Sequence, residues 1–144
     1  MDTIAAINSY LFDYLNDDVT LTGTLGNPGV SEGLASRSDD YPYIVFAINP
    51  TINPDTPIIV LCDLQIDIWD KPDSGLTTRI FEIRSQLIKL LDLHTFALDG
   101  DEAKAIRIYA DSMGFVLKDP DDEFVQHMIT TWSLRFIRNS DLVY

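Results

Sequence analysis

The residues of this sequence that could carry acid–base or metal chemistry are few and widely separated. The chain of 144 residues contains two histidines, His94 and His127, and one cysteine, Cys62. One cysteine cannot form an intramolecular disulfide or a cysteine-based zinc cluster, and two histidines are too few for a histidine-rich metal site. We expect Cys62 to be a buried core thiol, because it lies on the apolar side of a predicted strand, and His127 to face solvent.

The carboxylates form two short clusters, at residues 99–102 and 119–123. Such oxygen ligands can bind a divalent cation weakly, but neither cluster has the ligand spacing of a calcium-binding loop, so both are expected to be solvated turns. The sequence also lacks the serine motif of the α/β-hydrolases, a glycine-rich phosphate loop and the paired motifs of zinc enzymes. We therefore expect no catalytic residue, no cofactor and no metal ion.

The charge of the chain restricts its partners. It contains 23 acidic and 10 basic residues, a formal net charge of −13, and no Lys or Arg occurs before Arg37. A protein of this charge is repelled by nucleic-acid phosphates and by anionic membrane surfaces. No apolar run approaches the roughly 20 residues that cross a bilayer, and the first residues lack the pattern of a signal peptide. We expect a protein made in the cytoplasm that contacts no membrane.

The first third of the chain predicts one helix and one long loop. Apolar residues recur at helical spacing from Ile4 to Leu15, which predicts an amphipathic helix. The periodicity disappears at residues 17–41, which predict an irregular loop with a short strand near residues 19–25. Long loops in compact domains tend to bind partners, so the glycine-rich part of this one is a candidate docking loop. Its residues are Gly26, Asn27, Pro28, Gly29 and Gly33.

Strand patterns dominate the rest of the chain. Residues 42–48 predict one strand, and residues 58–69 predict a long one with apolar residues at even positions. The odd positions of the long strand form a solvated face, made of Asp63, Gln65, Asp67 and Trp69. Apolar spacing from about Ser74 to Leu91 predicts a second amphipathic helix, capped by Asp73 or Ser74.

The last third predicts short strands at residues 105–109 and 114–118, and a long strand at residues 124–137. The polar residues Gln126 and Thr130 interrupt the apolar face of the long strand, so its first half is expected outside the core. The chain therefore predicts an α+β fold, with a mainly antiparallel sheet packed against two amphipathic helices. At this length we expect a single domain over residues 1–144.

Four segments follow one another in an order that characterises a known family. Residues 4–15 form the first helix, residues 41–46 are similar to an LPYIVY-type strand, and residues 64–71 are similar to a VQIDVWA-type strand. After the second helix, residues 131–136 are similar to a closing strand of the type RSLDFRVWY. In this order and spacing, nearly the whole chain resembles the small tail terminator (tail completion) proteins of long-tailed bacteriophages and related prophages.

The resemblance implies a non-enzymatic structural protein of the virion, at the neck where tail meets head. It implies a ring of six copies that ends the tail tube, with the tail tube protein and a head-completion or connector protein as further partners. DNA would pass through the ring without specific binding, and an acidic wall would not hold it. We expect an acidic turn to face this lumen and the solvated face of residues 58–69 to supply subunit contacts by pairing at a strand edge. The residues of the turn are Asp119, Asp121, Asp122 and Glu123.

Three other functions are compatible with the sequence. A head-completion or connector adaptor would occupy the same neck but recognise another partner. A small acidic inhibitor that mimics DNA would be a monomer or dimer and would compete with DNA for a basic partner. An enzyme that uses paired carboxylates would need a concave site with a carboxyl group of raised pKa.

Overall fold

A computed structural model of the chain describes residues 3–26, 29–33, 40–51, 59–98 and 103–138. The described residues contain three helices and seven strands. The helices are α1 (Thr3–Asp17), α2 (Val19–Thr24) and α3 (Thr78–Leu91). The strands are β1 (Val30–Glu32), β2 (Tyr43–Thr51), β3 (Ile59–Asp70), β4 (Thr95–Phe96), β5 (Ala103–Ser112), β6 (Val116–Lys118) and β7 (Gln126–Arg138). None of these helices has the length and apolar character that crossing a membrane would require.

The strands form one sheet in the order β1-β2-β3-β7-β5-β4, and β6 pairs with the beginning of β7. All neighbouring pairs are antiparallel except β1 and β2, which are parallel. The predicted α+β class with a mainly antiparallel sheet is therefore confirmed. The two long strands β3 and β7 are neighbours at its centre and pair from Ile59 with Ile137 to Asp70 with Gln126.

One face of the sheet is buried under the helices, as the alternation in β3 predicts. Cys62, Leu64, Ile66 and Ile68 are all buried, so the expected core position of the thiol is confirmed. The helices α1 and α3 cover these side chains with their apolar stripes, which consist of Ile7, Leu11 and Leu15 on α1 and Ile80, Ile83, Leu87 and Leu91 on α3. Each such side chain stabilises the fold by about 1.5–3 kcal/mol when it leaves water.

The prediction of one long irregular loop after α1 is wrong for much of that segment. Residues 19–24 form the helix α2 rather than a strand, because the Asp18 carboxylate accepts a hydrogen bond from the backbone N–H of Leu21 at 2.8 Å and caps the first turn. Leu21 is buried against the core. Further along, β1 pairs in parallel with β2 and buries Val30. A six-residue helix and a three-residue strand are too short to show a period.

The expectation that the first half of β7 lies outside the core is also wrong. Gln126 and Thr130 are both buried, because each finds hydrogen-bond partners there. The Thr130 hydroxyl donates to the carbonyl of Ile66 at 2.9 Å and accepts from the indole N–H of Trp132 at 3.0 Å. The amide of Gln126 donates to two carbonyls in the turn before α3. In β7 the polar residues on the apolar face are therefore buried and form hydrogen bonds within the protein.

The helix α3 begins at Thr78, four residues after the predicted start. Its N-cap residue is Thr77, whose side chain makes no capping hydrogen bond, so the predicted caps Asp73 and Ser74 are wrong. Ser74 instead accepts a hydrogen bond from the backbone N–H of Leu76 within the preceding turn. Leu76 fits the helical spacing in sequence, yet its side chain is 64% exposed and does not join the core.

The strands β5 and β6 lie one after the other along the same side of β7, with an interruption at residues 113–115. Gly114 makes this interruption possible. Its φ angle is 64°, and a Cβ atom at this position would stand 2.0 Å from the carbonyl oxygen of Ile129. Only glycine fits a backbone that passes so close to β7 in this conformation.

A buried ion pair connects the end of β3 to α3. Asp70 is fully buried, and the Arg79 guanidinium donates hydrogen bonds to it from Nε at 3.1 and 3.0 Å. The backbone N–H of Lys71 donates a further hydrogen bond to the same carboxylate at 2.8 Å. A buried carboxylate loses its hydration, and these three hydrogen bonds compensate that loss. The hydrogen bonds to Asp70 hold the pKa of Arg79 above its ordinary value.

We predict that Arg79→Met lowers the free energy of unfolding by about 2–3 kcal/mol, because it leaves the buried Asp70 carboxylate without its counter-ion. Chemical denaturation at pH 7 measures the loss. The matched control is Lys71→Met, which breaks the exposed pair between Lys71 and Asp122 and is expected to change the stability little. Equal losses in the two variants would contradict a special role for the buried pair.

Candidate functional site: the outer face of the sheet

The face of the sheet that points away from the helices, here called the outer face, carries side chains from five adjacent strands. The register aligns these side chains in rows that run across the strands. The rows change character from one end of the sheet to the other. Near the start of β7 they are aromatic, in the middle they are mixed and include the carboxylates Asp63 and Asp67, and near its end they are cationic. The face therefore presents two chemically different ends.

An aromatic row occupies the first end. Tyr43, Trp69 and His127 are paired in register across β2, β3 and β7, and Leu117 of β6 follows His127 in the same row. The ring centroids of Trp69 and His127 are 3.7 Å apart, and those of Tyr43 and Trp69 are 6.4 Å apart. The rings of the row are thus stacked side by side across the three strands. Cross-strand aromatic pairs of this kind also strengthen the sheet.

Within this row His127 is half-buried, which corrects the expectation of a solvent-exposed histidine. Its imidazole stacks on Trp69 and its Nε2 atom lies 3.2 Å from a carboxylate oxygen of Asp67. The other carboxylate oxygen of Asp67 accepts a hydrogen bond from the amide of Gln65 at 2.8 Å. The histidine therefore takes part in a fixed polar and aromatic network rather than standing free at the surface.

The predicted subunit-contact residues lie on the outer face, but one part of that prediction is wrong. Asp63 and Gln65 are exposed, and Asp67 and Trp69 are partly exposed. However, β3 is hydrogen-bonded to β2 on one side and to β7 on the other, so residues 61–69 have no edge along which a second chain could pair. Contacts through these four residues would have to be made by side chains, from the face of the sheet.

Two arginines mark the opposite end of the outer face. Arg107 of β5 and Arg135 of β7 are directly opposite each other in register, and both are exposed. Their guanidinium carbons lie 5.7 and 5.1 Å from the centre of the Tyr109 ring. The sequence alone does not reveal this pair, because 27 residues separate its members and only the strand register brings them together.

The acidic turn at residues 119–123 lies between β6 and β7 and is fixed by its own hydrogen bonds. Asp119 accepts from the backbone N–H of Asp121 at 2.8 Å, and Asp122 accepts from that of Phe124 at 3.0 Å. Lys71 donates to Asp122 at 2.9 Å, and this hydrogen bond holds the pKa of Asp122 below its ordinary value. Asp121 and Glu123 are exposed. The prediction that the turn faces a lumen stays a prediction.

The candidate docking loop is described in part, since Asn27 and Pro28 lie outside the described residues. Gly26 donates its N–H to the carbonyl of Pro42 at 2.7 Å, and Gly29 accepts from the N–H of Ile44 at 2.8 Å. Gly33 donates to the carbonyl of Phe46 at 2.9 Å. The three glycines therefore connect this segment to β2 and to the residue before it, and docking through the segment stays a prediction.

A second aromatic cluster lies where α1 meets the segment after α3. His94 stacks on Tyr14 with ring centroids 4.3 Å apart, and Tyr10 stacks on Phe96 at 4.0 Å. The Tyr10 hydroxyl lies 2.8 Å from His94 Nε2, while the Tyr14 hydroxyl donates to the carbonyl of Leu90 and lies 3.5 Å from His94 Nδ1. These contacts suit a neutral imidazole, and burial lowers the pKa of His94.

Two shallow grooves flank α3. The larger, of about 470 Å³, runs between α2 and α3 and is lined by residues such as Leu21, Phe81 and Lys89. The smaller, of about 380 Å³, lies beside the turn before α3 and is lined by Leu76 and Arg79 among others. The part of the chain that the structure describes contains no group of three His, Cys, Asp or Glu side chains that could hold a metal ion. The acidic cluster at residues 99–102 lies outside it.

Comparison with known proteins adds no family to this description. No model of a known protein family matches the chain, and no curated protein sequence matches it.

We predict that the protein loses stability as the pH falls below about 6.5, the ordinary histidine value. Burial lowers the pKa of His94 in the folded state, so between the folded and unfolded values the unfolded chain binds the extra proton and is favoured. Unfolding free energies measured between pH 7.5 and 5 test this for the protein and for His94→Phe. The variant should lose less stability over this interval. Parallel curves for the two proteins would exclude His94 as the cause.

Proposed function

We propose that this protein is a non-enzymatic structural protein of a bacteriophage neck, which forms a ring that ends the tail tube and joins the tail to the head. The observation that carries the proposal is the arrangement of the segments that resemble the tail terminator family. The strands β2, β3 and β7, which contain those segments, are adjacent in one sheet, and α1 and α3 cover the same face of it. Segments that are far apart in sequence thus form one structural unit.

A ring of identical subunits requires two different, complementary surfaces on each copy, related by a rotation that closes. The outer face supports this requirement, since it has the aromatic row at one end and the arginines Arg107 and Arg135 at the other. Arg135 is eight positions after His127 along β7, which corresponds to roughly 27 Å along an extended strand. A subunit with such different ends can contact two neighbours without both contacts using the same patch.

The acidic character of the chain supports a role beside moving DNA. A wall that attracted phosphates would retain the polymer, whereas carboxylates repel it. In our proposal the acidic turn faces the lumen. Asp121 and Glu123 suit that position, since both are exposed and neither forms an ion pair with another described residue. The turn is held in shape by the hydrogen bonds of Asp119 and Asp122, so its direction does not depend on these two side chains.

The ring itself is tested by the native mass of the purified protein over a range of concentrations, together with electron microscopy of the same samples. We expect closed rings of about six copies, either alone or after addition of tail tubes that lack a terminator. Tubes treated with the protein should stop growing and should become competent to join heads. Failure to bind tubes, combined with binding to the head connector, would contradict the proposal in favour of an adaptor protein.

We predict that the double variant Asp121→Lys, Glu123→Lys assembles normally but impairs DNA passage, because cations at the lumen would attract phosphates. Ring formation is measured by native mass, and DNA ejection by the infectivity of particles that carry the variant. The matched control is Asp13→Lys, Asp17→Lys, which makes the same change of charge at two exposed positions on α1. Equal infectivity of the two variants would refute the lumen position of the turn.

A further inference from the structure

The arginines Arg107 and Arg135, here called the arginine pair, have an unfavourable arrangement within a single copy of the protein. Like charges that are directly opposite each other on neighbouring strands repel and destabilise the sheet. The register places these two opposite each other, and neither forms an ion pair with another described residue. Arg79, by contrast, is neutralised by Asp70 at the end of β3. In a chain with more than twice as many acidic as basic residues, two adjacent cations without an ion-pair partner among the described residues need an explanation.

The tyrosine beside them keeps both guanidinium groups at the surface. Tyr109 lies within 6 Å of both guanidinium carbons, which is the range of a cation–π contact. Contact with the ring holds a guanidinium group in place but does not use its N–H donors. The neighbouring residue across the strands is Ser133, whose hydroxyl belongs to the same outer face. The site therefore presents two held guanidinium groups whose donors are available to an oxygen anion.

We propose that the arginine pair binds carboxylates of a second copy of this chain and so forms one side of a contact between subunits. This inference rests on the proposed ring. Two copies that each carry a net charge of −13 repel each other, and cations of one copy that meet carboxylates of the other offset this repulsion at the contact. The arginine pair is suited to this because arginine binds carboxylates in a bidentate geometry.

The position of the pair also fits a neighbouring subunit better than DNA. Arg107 lies on β5, next to the two-residue strand β4 at one edge of the sheet, and the opposite edge is formed by β1. In a ring, one side of each subunit contacts a different side of the next subunit. A cationic patch beside one edge of the sheet would therefore meet another side of the neighbouring copy. For DNA, by contrast, two arginines would have to overcome the repulsion of the whole acidic chain.

The first test compares the double variant R107E/R135E with K89E/K118E, which makes the same change of net charge at two other exposed cations. Native mass at matched concentration and salt measures assembly, and thermal unfolding checks that each variant is folded. We expect the arginine variant to associate about tenfold or more weakly than the lysine variant, because only its charges oppose the neighbour's carboxylates. If R107E/R135E does not fold, R107Q/R135Q removes the charges without reversing them.

The second test identifies the partner with R107K/R135K, which keeps both charges and supplies primary amines. A zero-length carbodiimide reagent joins an amine to a carboxylate in direct contact, and mixed isotope labelling distinguishes links between copies from links within one copy. We expect links between copies from the new lysines to Asp or Glu side chains. Links only within one copy, or none, would overturn the inference, as would equal assembly of R107E/R135E and K89E/K118E.

The outcomes separate this inference from the proposed ring. If the unmodified protein forms rings that cap tail tubes while R107E/R135E does so equally well, the arginine pair has no role between subunits and the ring stands. If the unmodified protein neither associates nor caps tubes, both proposals fail. If R107E/R135E assembles normally but loses binding to a DNA fragment that the unmodified protein binds, the pair is a phosphate site and the proposed contact is wrong.

Discussion

The pairing of β3 with a neighbour on each side is the constraint on which the rest of the structure depends. Twelve residues of β3 are hydrogen-bonded to β7, and nine of them also have partners in β2. This double pairing fixes the side of the sheet to which every β3 side chain points, because a shift of one residue would exchange the buried face for the outer face. The helices then cover the only face that is continuously apolar. The rows on the outer face follow from the same register.

How much of this could be predicted depends on the length of the pattern that each element shows. The alternation in β3 and the helical spacing in α1 and α3 extend over several periods, so the sequence identified these elements and the side that each of them buries. The helix α2 and the strand β1 are shorter than two periods and owe their structure to tertiary contacts: the cap from Asp18, the burial of Leu21 and the pairing with β2. No local signal distinguishes them from a loop.

Buried polar residues show a second limit of sequence reasoning. Hydropathy assigns Thr130, Gln126 and Asp70 to the solvent, yet all three are buried, and each has hydrogen-bond partners elsewhere in the chain. The partners are the carbonyl of Ile66, the turn before α3 and the guanidinium of Arg79. An unpaired polar group in the core costs free energy, whereas a paired one adds specificity of register and position. Pairings over 9 to 64 residues cannot be deduced from composition or periodicity.

The candidate site also depends on pairing between distant residues. The aromatic row and the arginine pair each form only when the strands are paired in register. The sequence identified Asp63, Gln65, Asp67 and Trp69 as one solvated face but could not identify their neighbours on β2 and β7. The arginine pair follows from an alignment of β5 with β7 that contains two irregularities, at residues 103–106 and 110–112. An acidic chain stays soluble through its net charge and must overcome the same charge when it assembles. The contact that we propose for the arginine pair would meet both requirements. Two cations held on the sheet would act only where a neighbour's carboxylates come within contact distance, and the long-range repulsion between separate copies would be preserved.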